Sequence, residues 1–355
     1  MLTKKDTLRT IADAIKEEKK ARLFAMNFPT DFLSLIPEEM YGDPIGDLMK
    51  KLKMPWGAPF LGEEMVRAAN IAEDIVENQS WKFIPLWGKE SEDWIPDIRK
   101  NDKSSVFLMT RKKRENARKP AVIICPGGGY EMLSFDGEGI RMAEKMEQNG
   151  YISFVLCYRV KPNYYPEPQK DLALAVKYVK ANAEIYGADA GRIMLMGSSA
   201  GGHLCVSTVE NRKEIDELLQ ADLETGQPEL ADMYKDIDIL PEMMCLNYPV
   251  ISFLEEVHEP SFQALTDGKE ELRDTLSGER HVEKDFPKTF IWACEDDGLV
   301  PAGNAKRMAK ALKEKGVPCK LCIYPQGDHG CGLAAGTSAE GWFREMLALM
   351  NAQKE

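Results

Sequence analysis

Two hydrophobic periodicities divide the chain near residue 80. Before that point, residues 2–24 and 63–77 place apolar side chains at helical spacing, the second as a stripe of Met65, Val66, Ala69, Ile71 and Ala72. Between them Pro29, Pro37, Pro44, Pro55 and Pro59 interrupt any long element. From Trp81 onward short apolar runs alternate with helical patterns. The runs predict strands over 81–87, 104–110, 121–125, 152–157, 192–196, 242–246, 289–293 and 320–324. Helices are predicted over 138–149, 168–186, the stretch after Ser199, 302–316 and 338–351. Ala121-Val122-Ile123-Ile124-Cys125 is apolar at every position, which means burial on both faces of a mostly parallel sheet. Eight such strands with interleaved helices predict an α/β class, doubly wound and three-layered. Residues 80–355 form the main domain and residues 1–79 a helical extension. The extension's stripe needs a cover: the main domain, a second copy in a homo-oligomer, or the site itself if the extension is a cap. Residues 211–241, acidic and helical in pattern, form an insertion at the sheet's carboxyl edge, either shaping the mouth of a site or making a surface excursion.

The formal net charge of −12, with a pI near 5.1, argues against nucleic acid or an anionic membrane as partner. The basic run from Arg111 to Lys119 reads as a solvated loop. No apolar run is long enough to span a bilayer, and the charged, amphipathic start of the chain lacks a signal-peptide core. Most of the eight cysteines sit in strand-like apolar runs, as small core residues do. Cys319 and Cys322 lack the second pair or the histidines that a zinc site needs. Reduced thiols and no leader give the expectation of a cytoplasmic protein without a metal or organic cofactor.

The chemistry gathers around Gly197-Ser198-Ser199-Ala200-Gly201, set between a predicted strand and a predicted helix. A nucleophile elbow requires this context, with small residues flanking a strained central serine. Ser199 is the candidate nucleophile and Ser198 a filler. A serine hydroxyl needs a base, and the base needs an orienting acid. The chain has four histidines. His203 lies on the helix after the serine and packs there. His258 and His281 come too early to follow an acid in the usual serine, acid, histidine order. His329, in the glycine-flanked loop after the last strand, is the candidate base. For the acid, Glu295, Asp296 and Asp297 compete at the end of the preceding strand; Asp297 is favoured because the turn toward Val300-Pro301 starts there. Oxyanion donors are expected from the backbone of Ala200 and from the loop Pro126-Gly127-Gly128-Gly129-Tyr130, whose three glycines let N–H groups point into a cavity. No phosphate-loop or dinucleotide fingerprint accompanies those glycines.

These pieces, with Leu156-Cys157-Tyr158-Arg159-Val160, Asp297-Gly298-Leu299-Val300-Pro301 and Gly327-Asp328-His329-Gly330, resemble the α/β-hydrolase superfamily over about residues 80–350. Within it the chain resembles the esterase/lipase branch that holds acetyl esterases and acetylxylan esterases. The resemblance implies a triad of Ser199, Asp297 and His329, with oxyanion donors at Gly128, Gly129 and Ala200. Pro126 stands where many relatives carry histidine. The implied activity is hydrolysis of small short-chain esters, plausibly acetylated sugars, through an acyl-enzyme. An amidase or aminopeptidase with the same triad, and a binding scaffold without catalysis, are the alternatives.

Overall fold

The computed structural model describes residues 1–26, 36–53, 61–78, 80–88, 94–111 and 118–351. The described strands are β1 (Trp81–Pro85), β2 (Phe107–Arg111), β3 (Lys119–Cys125), β4 (Ile152–Cys157), β5 (Ala188–Ser198), β6 (Met243–Asn247), β7 (Lys288–Cys294) and β8 (Cys319–Tyr324). They pair into one sheet in the order β1-β2-β4-β3-β5-β6-β7-β8. β2 is antiparallel to β1 and β4, and the strands from β4 to β8 are parallel. The chain leaves β3 for β4 on one side and returns to β5 on the other. The crevice beyond the carboxyl ends of β3 and β5 is therefore the topological switch point, where open α/β sheets bind ligands.

Among the described residues four α-helices precede the sheet: α1 (Leu8–Ala14), α2 (Glu18–Ala25), α3 (Ile45–Lys51) and α4 (Gly62–Asn78). Leu8, Ile11, Phe24, Ile45, Leu48 and Met65 bury one another in a small core of their own. Leu23, Met26, Ala72 and Ile75 instead join the core of the main body. The apolar stripe of α4 is thus covered within the chain, one part by the extension and one part by the sheet domain. Arg67 adds a polar clasp, Nε on Asp136 at 2.6 Å and a terminal nitrogen on Glu144 at 3.0 Å. The proline-broken stretch lies partly outside the described residues, as does most of the basic run after Arg111.

The later helices are α5 (Arg141–Gln148), α6 (Glu167–Ala181), α7 (Ala183–Tyr186), α8 (Ala200–Glu210), α9 (Arg212–Gly226), α10 (Pro228–Tyr234), α11 (Glu259–Thr266), α12 (Leu272–Thr275), α13 (Gly303–Glu314) and α14 (Trp342–Asn351). Several differ from the predicted spans for local reasons. The helix expected from 138 opens with a π-helical turn, Phe135–Ile140, before α5. A Cβ on Gly139 would lie 2.8 Å from Val155, so glycine lets this wide turn press on β4. The strand expected from 104 starts at Phe107, because Asp102 caps a short 3-10 turn over Lys103–Ser105. The insertion over 211–241 becomes α9 and α10, which pack on α6. Consequently α6 is buried on most of its surface, and its lysines find partners in the insertion. Lys170 pairs with Asp222 at 2.8 Å. The fully buried Lys177 donates to the carbonyls of Tyr234 and Ile237 at 2.9 and 2.7 Å. Among the described residues no helix is long and apolar enough to cross a membrane.

Ala72 is fully buried where the extension meets the main core. Ala72→Asp buries an unpaired carboxylate there, which costs several kcal/mol. Limited proteolysis should then cut within residues 1–78 at least tenfold faster while the sheet domain stays resistant.

Candidate active site

The end of β5, Ser199 and the start of α8 form the expected strand-turn-helix. Ser199 adopts φ 53° and ψ −122°, a conformation that costs a non-glycine residue about 1–3 kcal/mol. Four backbone hydrogen bonds hold it: its N–H donates to Asn247 at 2.9 Å, and its carbonyl accepts from Gly202, His203 and Val250 at 3.0, 3.2 and 3.1 Å. The flanking glycines are required by contact. A Cβ on Gly197 would lie 2.3 Å from the carbonyl oxygen of Gly201, and one on Gly201 would lie 2.1 Å from that of Cys125. Ser198 is more than a filler. Its buried hydroxyl accepts from Asn247 Nδ2 at 3.0 Å, and Asn247 Oδ1 accepts from Trp292 at 2.8 Å, which ties β5, β6 and β7 together below the turn.

Ser199, Asp297 and His329 come together. His329 Nε2 lies 2.8 Å from Ser199 Oγ, and Nδ1 lies 2.7 Å from Asp297 Oδ2. The other oxygen of Asp297 accepts from the N–H groups of Leu299 and Val300 at 3.0 and 2.8 Å. Its side chain is fully buried. With Asp297 ionised, Nδ1 carries the ring proton, and Nε2 presents a lone pair to the serine hydroxyl. Asp296 serves the same assembly differently. Its carboxylate accepts from the N–H groups of Gly327 and Asp328, at 3.0 and 2.9 Å to Oδ1, and so fastens the loop that carries His329. Glu295 is exposed and pairs with Lys306.

The loop after β3 crosses directly over Ser199. The Gly127 N–H is committed to Glu138 Oε2 at 2.7 Å. Among the described residues the N–H groups of Gly128, Gly129 and Ala200 donate to no protein acceptor. The first follows from a sharp turn, φ 129° at Gly128 and 66° at Gly129. The last is the open donor at the first position of α8. Tyr158 supports the loop at Pro126, by donating to the Pro126 carbonyl at 2.6 Å.

Two buried residues behind the loop escaped sequence reasoning. Glu138, pushed upward in pKa mainly by burial, accepts from Gly127 with one oxygen and from the Tyr248 hydroxyl, at 2.9 Å, with the other. The Tyr248 ring stands edge-on to His329 with centroids 5.1 Å apart, and its oxygen accepts from Gly332 N–H at 3.1 Å. One carboxylate therefore links the loop after β3 to the wall behind the histidine. The only hint in the sequence is Gly137 and Gly139 around Glu138, which permit the wide turn that points it inward. His203 packs, as expected, but also bonds. Nε2 lies 2.8 Å from the Leu276 carbonyl, which can only accept, so Nε2 carries the proton and Nδ1 accepts from the Tyr130 hydroxyl at 2.8 Å. His258 lies near the site despite its place in the chain: its Cε1 is 3.9 Å from where a Cβ on Gly129 would stand. His281 is half-buried and bonds the Asp274 carbonyl. All eight cysteines are free. Cys319 and Cys322, three apart on β8, face opposite sides of the sheet. Among the described residues no cluster of three or more His, Cys, Asp or Glu could hold a metal ion.

The BD-FAE family profile matches residues 108–312, more than half of the chain. The chain belongs to the BD-FAE family. This is an esterase type within the α/β hydrolases. Over 234 residues the chain is 30% identical to endo-1,4-beta-xylanase B of Butyrivibrio fibrisolvens, covering 64% of this chain and 35% of that protein. Over 237 residues it is 31% identical to an acetylxylan esterase of Xylanibacter ruminicola, covering 65% of this chain and 43% of that one. It thus spans less than half the length of both curated relatives. Among solved structures, an acetyl ester-xyloside bifunctional hydrolase from Caldicellulosiruptor lactoaceticus matches with a TM-score of 0.64 and 32% identity, over 75% of this chain and 93% of that one. The BD-FAE match starts at residue 108, so the helical extension lies outside it.

In this BD-FAE chain His203 makes the support of Tyr130, at the end of the glycine loop, acid-sensitive. Burial lowers its pKa from 6.5 to about 4. Below pH 6.5 the unfolded chain takes up a proton that the folded one refuses, so stability falls as pH drops toward 4. The full loss is about 3 kcal/mol. Urea midpoints measured at pH 7 and pH 4.5 should converge when His203→Gln removes the titration.

Proposed function

We propose that this protein is a serine carboxylesterase that removes acetyl-type groups from small acetylated sugars or xylo-oligosaccharides. The observation that carries the reading is the unbroken hydrogen-bond chain from Ser199 through His329 to Asp297, beside N–H groups with no protein acceptor. In the first half-reaction His329 Nε2 takes the Ser199 proton as Oγ attacks the ester carbonyl. The carbonyl π electrons move to oxygen, and the N–H groups of Gly128, Gly129 and Ala200 bind the resulting oxyanion. Collapse breaks the bond to the alcohol oxygen, which leaves with the proton from His329. Water then adds to the acyl-serine, giving a proton to His329, and the acid departs as Ser199 Oγ recovers that proton. Asp297 stabilises the imidazolium present in both halves.

The substrate class rests on the relatives: an acetylxylan esterase, a xylanase and an acetyl ester-xyloside hydrolase are the proteins this chain is similar to. A cytoplasmic setting suits its eight free cysteines.

Ser199→Ala should abolish turnover of p-nitrophenyl acetate and labelling by a fluorophosphonate, while Asp297→Asn should lower kcat by roughly 10³–10⁴. Wild-type turnover by the alanine variant would end the assignment. A panel of p-nitrophenyl acyl esters and aminoacyl anilides should show kcat/KM highest at acetyl; faster cleavage of the anilides would point to an amidase.

A further inference from the structure

His258 stands beside the proposed oxyanion loop yet has no part in the triad. It immediately precedes α11 and is half-buried. Its Nδ1 lies 2.7 Å from the hydroxyl of Ser261, which is itself fully buried. Among the described residues that nitrogen is the one partner of the Ser261 side chain. A buried hydroxyl that kept its proton unpaired would lose the free energy of a hydrogen bond, so the hydroxyl donates to Nδ1. The ring proton then resides on Nε2. That atom adjoins Cε1, the ring edge that looks toward Gly129 together with Ser261 Oγ, at 3.9 and 3.8 Å from the site of a Cβ there. Nε2 has no hydrogen-bond partner among the described residues.

The position also has a direction. The charges of His329 and Asp297 are both felt at His258, and the first disfavours a proton there. His258 therefore lies within electrostatic reach of the base. In an acyl transfer the base must lie on the side of the leaving alcohol, because it returns the proton to that oxygen. The same rim carries polar groups: Glu131, whose charge also reaches His258, pairs with Lys161 at 3.3 Å. A neutral N–H donor with polar neighbours suits an alcohol that bears further hydroxyls.

We propose that His258 is a positioning residue whose Nε2–H donates a hydrogen bond to a free hydroxyl on the alcohol half of the ester, oriented by Ser261, so that the protein prefers esters of polyols and sugars over esters of simple alcohols. This rests on the serine esterase reading above.

The test compares wild type, His258→Ala, His258→Gln and Ser199→Ala on methyl 2-O-acetyl-β-D-xylopyranoside, whose alcohol half carries hydroxyls, and on p-nitrophenyl acetate, whose alcohol half carries none. In His258→Ala the ratio of kcat/KM for the sugar ester to that for p-nitrophenyl acetate should fall about five- to tenfold, chiefly through KM. His258→Gln retains an N–H donor and should recover part of that ratio. An unchanged ratio in His258→Ala overturns the inference while leaving the serine reading intact. Turnover by Ser199→Ala overturns the serine reading, and the inference with it. If fluorophosphonate labelling of Ser199 shows that His258→Ala has lost its assembled site, the glutamine variant decides: a ratio between that of wild type and a tenfold loss supports the inference, and a uniform loss on both esters overturns it.

Discussion

Everything at this site depends on how closely α8 and the loop after β3 approach each other. Gly201 sits where any Cβ would lie 2.1 Å from the Cys125 carbonyl, and Gly127 where one would lie 2.8 Å from Ser199 Cβ. Without those contacts the Ser199 backbone could relax out of its positive φ, and its hydroxyl would turn away from His329. With them, the strained residue is over-determined by neighbours from three strands. The N–H groups above it have nowhere to fold back to. The same approach sets the glycine loop after β3 against Ser199, at the switch point of the sheet.

Close backbone approach leaves buried polar groups, and the structure satisfies them with side chains from distant parts of the chain. Glu138 takes the Gly127 N–H and the Tyr248 hydroxyl, Tyr158 takes the Pro126 carbonyl, and His203 holds the Tyr130 hydroxyl. Beside them Arg159 pairs with the fully buried Asp171 at 2.8 Å, and Asp171 also accepts from Trp87 at 2.7 Å. Removing one member of such a set leaves the other without water or partner, which is costlier than never having buried either. This accounts for the Tyr158-Arg159 pair after β4: one residue supports the glycine loop after β3, and the other anchors the start of α6.

The insertion after α8 and the N-terminal extension show how a sheet domain can grow without disturbing its site. α9 and α10 add a layer outside α6 and feed its buried Lys170 and Lys177 with acceptors. The extension keeps a small core of its own and lends only a few side chains to the main one. Its clasp through Arg67 ends on Asp136 and Glu144, at the π-helical turn and α5. That turn also carries Glu138, two residues from Asp136, so the docking surface and the support of the glycine loop after β3 share one short segment.

What the sequence by itself determined was whatever depends on near neighbours along the chain. Continuous apolar runs made buried parallel strands, glycines around Ser199 made a tight turn, and the placement of Asp297 and His329 after successive strands made them converge, since parallel strands end at one edge. Tertiary structure alone decided the rest. Asp296 binds the histidine loop, and Ser198 is bonded instead of merely small, because their partners lie 31 and 49 residues away. Tyr248 meets Glu138 across 110 residues. His258, excluded by chain order, is brought beside Gly129 by the loop that follows β6. Periodicity reports which face of an element is buried; it carries no information about which polar group will be waiting there, because that depends on how separate elements are stacked.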